Sequence, residues 1–228
     1  MATTVNNLLI TAGFDPGRLK TVKWREPLDS NSIGIYIIST CEQPDKNSNL
    51  YDQAPIDDNI LHFWLSKVPS FQIDKAPNPT LNELKKRLSG FWLPDENIIY
   101  IGQTESVGGL RSRVNQYYKT ELGERKPHAG GHWIKTLTIL NQLFVHYIED
   151  KTPTATEENL LHAFVKQVSE KTKKNLVDPF GNNDGKLKDL LSQLKGKEFG
   201  EVDKDMIKKK SNINVEENLF EVKLKEDK

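Results

Sequence analysis

Two short runs constrain this 228-residue chain more than anything else in it: residues 33–39 (IGIYIIS) and residues 98–103 (IIYIGQ). Both are dense in β-branched and aromatic residues, the composition of a strand that packs against a core. Each sets a glycine close to a tyrosine, Gly34-Ile35-Tyr36 in the first and Tyr100-Ile101-Gly102 in the second. Glycine weakens a strand, and its usual reason for being there is to let another group come close. Taken singly, either tyrosine reads as an ordinary core or edge aromatic.

The rest of the chain supplies a third strand and several helices. Residues 1–32 are mixed, with an apolar Leu8-Leu9-Ile10 opening, an Asp15-Pro16-Gly17 turn and Trp24 ahead of Pro27. A polar loop begins after Cys41. Helical periodicity covers about 58–67 and 80–91, the latter with Leu81, Leu84 and Leu88 on one face. Another helix spans roughly 109–121, with Leu110, Val114 and Tyr117 aligned. After the KPHAGGHW loop (126–133) comes a strand near 142–149, then a helix from Pro153 to about Thr172. The tail is rich in lysine, with a helix expected near 185–194 and a weak final strand in LFEVKL. This order predicts a small α/β (α+β) fold: a central antiparallel sheet flanked by helices, with a helical insertion between its two motif strands. The boundaries read as an N-terminal extension over 1–32, a domain over 33–184 with an insertion at about 40–97, and a C-terminal extension over 185–228.

Hydrophobic residues make up 36% of the chain, enough for a real core. A single cysteine excludes an internal disulfide framework, and no apolar run approaches the length of a membrane span. A cytoplasmic protein without a membrane partner is expected. The formal net charge is zero, which does not favour a nucleic-acid partner, although Arg111, Arg113, Lys119, Arg125, Lys126 and Lys135 crowd into one stretch.

The segment after the second tyrosine run gives that run more weight. Tyr100-Ile101-Gly102-Gln103-Thr104 leads into Leu110-Arg111-Ser112-Arg113-Val114-Asn115-Gln116-Tyr117. This resembles the GIY-YIG nucleases, in which the second motif strand enters a helix of the form L-x-x-R-[LV]-x-x-[HY]. The resemblance spans roughly residues 33–180 and rests on several motifs in the right order. It implies a metal-dependent endonuclease that hydrolyses DNA phosphodiester bonds, with Tyr36, Tyr100, Arg113, Tyr117 and Glu157 as catalytic residues. Tyr36 would help activate water, Tyr100 would position it, Arg113 would face the phosphate, and Tyr117 would stand where many members carry histidine. Helix geometry agrees on one point: Arg113 and Tyr117, four residues apart, stack one turn above the other. Arg111 points about 90° away from the apolar face, as a solvated or DNA-contacting side chain.

Glu157 has two readings. It falls in the Leu160/Leu161/Phe164 stripe of its helix, and an inward carboxylate is costly unless something such as a divalent cation compensates it. The resemblance implies that it holds Mg²⁺ or Mn²⁺. Alternatively, Thr154-Ala155-Thr156-Glu157 fits a capping box. DNA contacts are expected from Arg111, Lys119, Arg125, Lys126, His128 and His132, the two histidines flanking glycines that can offer amides to a phosphate. His146 and His162 read as structural, and Asn182 offers a weak match to an ending found in parts of the family. The chain departs from the family in one respect: some sixty residues separate the two motif strands, so the insertion is expected to loop out and to touch DNA. Restriction or phage defence is the expected setting. A structure-specific repair nuclease, or a non-catalytic DNA-binding module on the same fold, is the alternative, and a homodimer stays open as its assembly.

Overall fold

A computed structural model describes residues 3–48, 51–68, 71–73, 76–124, 131–169 and 178–184. Its elements are helix α1 (Val5–Thr11), strands β1 (Lys20–Lys23) and β2 (Gly34–Ser39), helix α2 (Asp58–Lys67), the two-residue strands β3 (Gln72–Ile73) and β4 (Ala76–Pro77), helix α3 (Leu81–Ser89), strand β5 (Ile98–Thr104), helix α4 (Gly109–Lys119), strand β6 (Phe144–Glu149) and helix α5 (Pro153–Gln167). Four strands form one antiparallel sheet in the order β1-β6-β2-β5. The fold is α+β. No helix among the described residues is long and apolar enough to cross a membrane.

The two motif strands pair directly, with Tyr36 opposite Gly102 and Ile38 opposite Tyr100. In a strand every second side chain shares a face. Gly34, Tyr36 and Ile38 therefore look the same way as Tyr100, Gly102 and Thr104. On this face Leu110 of α4 packs over Gly34, where a Cβ would meet Leu110 Cδ1 at 2.9 Å.

The insertion between β2 and β5 does not loop out as the spacing suggests. Its Leu61, Trp64, Phe71, Leu84, Leu88 and Trp92 are buried in the same core as the motif strands. Backbone bonds stitch it down, Asp57 N to Thr136 O and Thr138 N to Pro55 O. So much apolar surface cannot stay in water: each buried Leu or Phe side chain contributes about 1.5–3 kcal/mol by leaving it. A capping box also lies here, between Thr80 and Glu83 at the start of α3.

The N-terminal segment supplies what its mixed composition hides. Its residues Val5, Leu8 and Leu9 are buried, and β1 extends the sheet beside β6. The carbonyls of Ser30 and Ser32 accept from the backbone N–H groups of Arg111 and Leu110, satisfying two donors that the start of α4 would leave orphaned.

β5 is an edge strand, and a side chain closes its open rim. Asn182 accepts from Ile101 N–H at 2.8 Å and donates to Ile101 C=O at 2.6 Å, imitating a neighbouring strand. Replacing Asn182 with leucine leaves both backbone groups buried without partners, so a loss of about 2 kcal/mol or more is expected in urea unfolding. An unchanged midpoint would show that water or another side chain takes the place of Asn182. The expected C-terminal helix and strand lie outside the described residues, as does everything beyond position 184.

Candidate active site

Three glycine-lined aromatics and one arginine meet on the α4 face of the sheet. Tyr36 is 1% exposed. Its ring centroid lies 5.9 Å from that of Tyr100, which lies 5.5 Å from that of Tyr117. The Tyr36 hydroxyl hydrogen-bonds to Tyr100 and to the guanidinium of Arg113, and it also feels the charge of Glu157. The two motif strands thus place their tyrosine hydroxyls within direct reach of each other, although about sixty residues separate them.

Gly102 creates the slot for this arrangement. A Cβ at that position would lie 2.6 Å from Tyr36 Cζ and 2.7 Å from its hydroxyl oxygen. Gly102→Ala is therefore expected to push Tyr36 off Arg113 and to slow by about 10-fold or more any reaction that uses the pair, since small misplacements of reacting groups are costly. Melting temperature and single-turnover rate, measured together, separate that effect from unfolding. An alanine variant of normal rate would mean that Tyr36 needs no fixed position.

The electrostatics of Tyr36 follow from its burial. Burial pushes its pKa up to about 12, and the opposing pull of Arg113 and of the Tyr100 hydrogen bond is smaller. The phenol therefore keeps its proton at neutral pH. On this chain's own charges the protonated phenol can orient a water or donate to a phosphate oxygen.

Tyr117 does not stand free beside a nucleophile. Its hydroxyl donates to the Gly131 carbonyl, while its ring is wedged between Trp24, 5.5 Å away, and Tyr100. It acts as a wall that fixes Tyr100. Gly131, which the glycine-rich loop suggested for phosphate binding, is in contact with this ring pair. Lys135 is likewise no surface cation. It is buried, its ammonium donating to the carbonyls of Tyr117 and Thr120 at the end of α4, and burial lowers its pKa to about 8.

The two helix arginines part company. Arg113 is half-buried and turned to Tyr36. Arg111 is committed elsewhere: Nε donates to Leu28 O at 2.7 Å and the guanidinium pairs with Asp29 at 3.2 Å. It straps the N-terminal segment to α4 and keeps an exposed guanidinium. Lys119 is exposed, and no ion pair engages it among the described residues. His132 is half-buried and opens a 3₁₀ turn (His132–Thr136). Arg125, Lys126 and His128 lie outside the described residues. His146 is structural, buried between the hydroxyls of Thr21 and Ser39, with its pKa lowered to about 4 by burial.

Glu157 is 4% exposed, while the adjacent Glu158 is exposed. The capping alternative is not realised. α5 begins at Pro153 after Thr152, and the Thr154 hydroxyl donates to Glu105 instead, at 2.9 Å. Glu157 therefore lies too far into the helix to reach an N-cap amide. Among the described residues no three His, Cys, Asp or Glu side chains converge as a metal cage. One inward carboxylate beside an arginine and two phenols does suit Mg²⁺, which is commonly held by one or two carboxylates with substrate phosphates and waters completing its shell.

No protein-family model, curated protein or solved structure matches the chain.

Sequence reading had no signal for the Ser30–Ser32 docking of α4 or for the Lys135 cap. Both are tertiary contacts made by residues that look like loop and surface in one dimension.

Proposed function

We propose that this chain is a metal-dependent endonuclease of the GIY-YIG type that hydrolyses DNA phosphodiester bonds, in restriction or phage defence. The observation that carries the reading is the Tyr36 hydroxyl, held between Tyr100 and Arg113 in a slot that only Gly102 permits, with the Glu157 charge alongside. A buried carboxylate and a half-buried guanidinium around one phenol are expensive to assemble for stability alone, and such clusters mark functional sites.

Each group's role rests on its chemistry. Arg113 is a permanent positive charge, suited to the oxygens of a phosphate as negative charge builds on them in the transition state. Tyr36, a neutral phenol, orients the attacking water or the phosphate, and Tyr100 holds Tyr36 in place. Glu157 would hold Mg²⁺ or Mn²⁺, which supplies charge neutralisation at the phosphate and a more acidic water. Lys119 lies on the same helix as Arg113 and is suited to the flanking backbone.

The test is incubation of the purified full chain with supercoiled plasmid and Mg²⁺ or Mn²⁺, with EDTA as control. Nicked or linear plasmid that disappears with EDTA supports the proposal. Retardation of the plasmid without metal-dependent cutting would make the chain a DNA-binding module, and no effect on DNA at all would overturn the reading.

A further inference from the structure

Behind the aromatic wall of the Tyr36 site lies a buried positive charge. Lys135, in the 3₁₀ turn His132–Thr136, is 8% exposed. Its ammonium donates to Tyr117 O at 2.6 Å and to Thr120 O, carbonyls that the end of α4 leaves without an intrahelical partner. It also stands over the Tyr117 ring, 5.3 Å from the centroid. Taking an ammonium out of water is expensive, and a neutral donor can close a helix end. What the charge adds is strength: charge-assisted bonds are roughly twice as strong as neutral ones. It also attracts the negative end of the helix and the face of the ring. From Tyr117 the contacts run on to the phenol of the site. The Tyr100 ring lies 5.5 Å from that of Tyr117 and 5.9 Å from that of Tyr36, and Tyr100 hydrogen-bonds to the Tyr36 hydroxyl. Gly131 packs against both outer rings, and a Cβ there would lie 2.8 Å from Tyr100 Cε2.

We propose that Lys135 is a positioning residue of the Tyr36 site: its positive charge holds Tyr117 against Tyr100, and through Tyr100 sets where the Tyr36 hydroxyl stands. Its effect on cleavage rests on the endonuclease reading, and the chain of contacts does not. Burial lowers the Lys135 pKa to about 8, so the charge is present below that pH and lost above it. Among the described residues, Glu124 and Glu121 favour the ammonium and Arg25 opposes it. Glu121 is itself paired with Lys67 at 2.7 Å. The Tyr36 phenol, at about 12, keeps its proton throughout. The unfolded chain holds the lysine proton up to the ordinary value of 10.5. Between those two values the unfolded state binds more protons, so the contribution of Lys135 to stability rises with pH. A merely structural lysine would therefore cost nothing on the alkaline side. A positioning lysine loosens the site there while the fold gains.

The experiment follows, by NMR of the full chain without DNA, the Lys135 ε-methylene and the tyrosine ring resonances from about pH 6.5 to 9.5. The six tyrosines are assigned by phenylalanine substitution. In the wild type, the Tyr100 and Tyr36 signals are expected to shift at the midpoint of Lys135. In Lys135→Arg, whose guanidinium stays charged over this range, they should hold still. In Lys135→Met they should be displaced already at pH 7. Unmoved Tyr100 and Tyr36 signals in a folded Lys135→Met variant overturn the proposal. So does a wild type in which Lys135 discharges without moving them, a comparison that needs no variant to fold. Single-turnover plasmid cleavage is expected to fall about 10-fold between pH 7 and 9 in the wild type, the scale of a small misplacement, and not in Lys135→Arg. Coupled tyrosine signals without cleavage at any pH would keep the positioning role and sink the nuclease reading. Cleavage with one pH profile in the wild type and Lys135→Arg would do the reverse.

Discussion

Replacing Arg113 with alanine is expected to lower the single-turnover cleavage rate by about 10²–10³-fold, the scale on which removing one preorganised charge or donor from a transition state acts. Folding should survive, because Arg113 is half-buried on a helix whose packing face is Leu110, Val114 and Tyr117. Binding of uncut DNA in EDTA should fall far less than the rate does. The partner experiment is Arg111→Ala. Two residues away, this guanidinium is spent on Leu28 O and Asp29, so its loss should cost about 1 kcal/mol of stability and leave the rate of the folded fraction intact. Equal loss of turnover in the two variants would mean that the guanidinium beside Tyr36 has no special place in the chemistry.

The second large effect is expected at Glu157. Glu157→Gln should abolish cleavage at every practical Mg²⁺ or Mn²⁺ concentration, because an amide is a poor ligand for a hard cation where one carboxylate carries the binding. Thermal stability should hold or rise, since an inward negative charge is removed while size and shape are kept. Glu158→Gln is the control: it is exposed on the same helix and should cut normally. The N-cap role that would confound this comparison is absent, because α5 starts at Pro153 and Thr154 bonds to Glu105. An active Glu157→Gln enzyme would remove the metal from Glu157.

Much of this arrangement was legible in one dimension. The runs IGIYIIS and IIYIGQ are strands, the helices over 58–67 and from 109 and 153 are where periodicity puts them, and Glu157 faces inward while Glu158 does not. Such features depend on side-chain period and local propensity, which a sequence carries explicitly. The inward turn of Glu157 was readable for the same reason, because it shares a helix with an apolar stripe that sets its direction, whereas Arg113 was singled out by the family resemblance. The N-terminal strand was not readable: KTVK is short, with lysine at both ends, and takes its place by pairing with β6.

What the sequence determined by itself, then, is the periodicity of the elements and the direction of each side chain on its own helix or strand. What only the tertiary structure decided is which groups are already spoken for. Arg111 and Lys135 carry the same charge as Arg113 and lie in the same stretch, yet one is bound to Leu28 and Asp29 and the other to the end of α4. The insertion is wrapped into the core and does not loop out from it, because its tryptophans and leucines gain more by burial than by exposure. The Tyr36 phenol keeps its proton for a related reason: how far a pKa moves depends on the water removed from around a group. Desolvation belongs to the whole fold, since it takes β5, α4 and the glycine slot together to exclude that water.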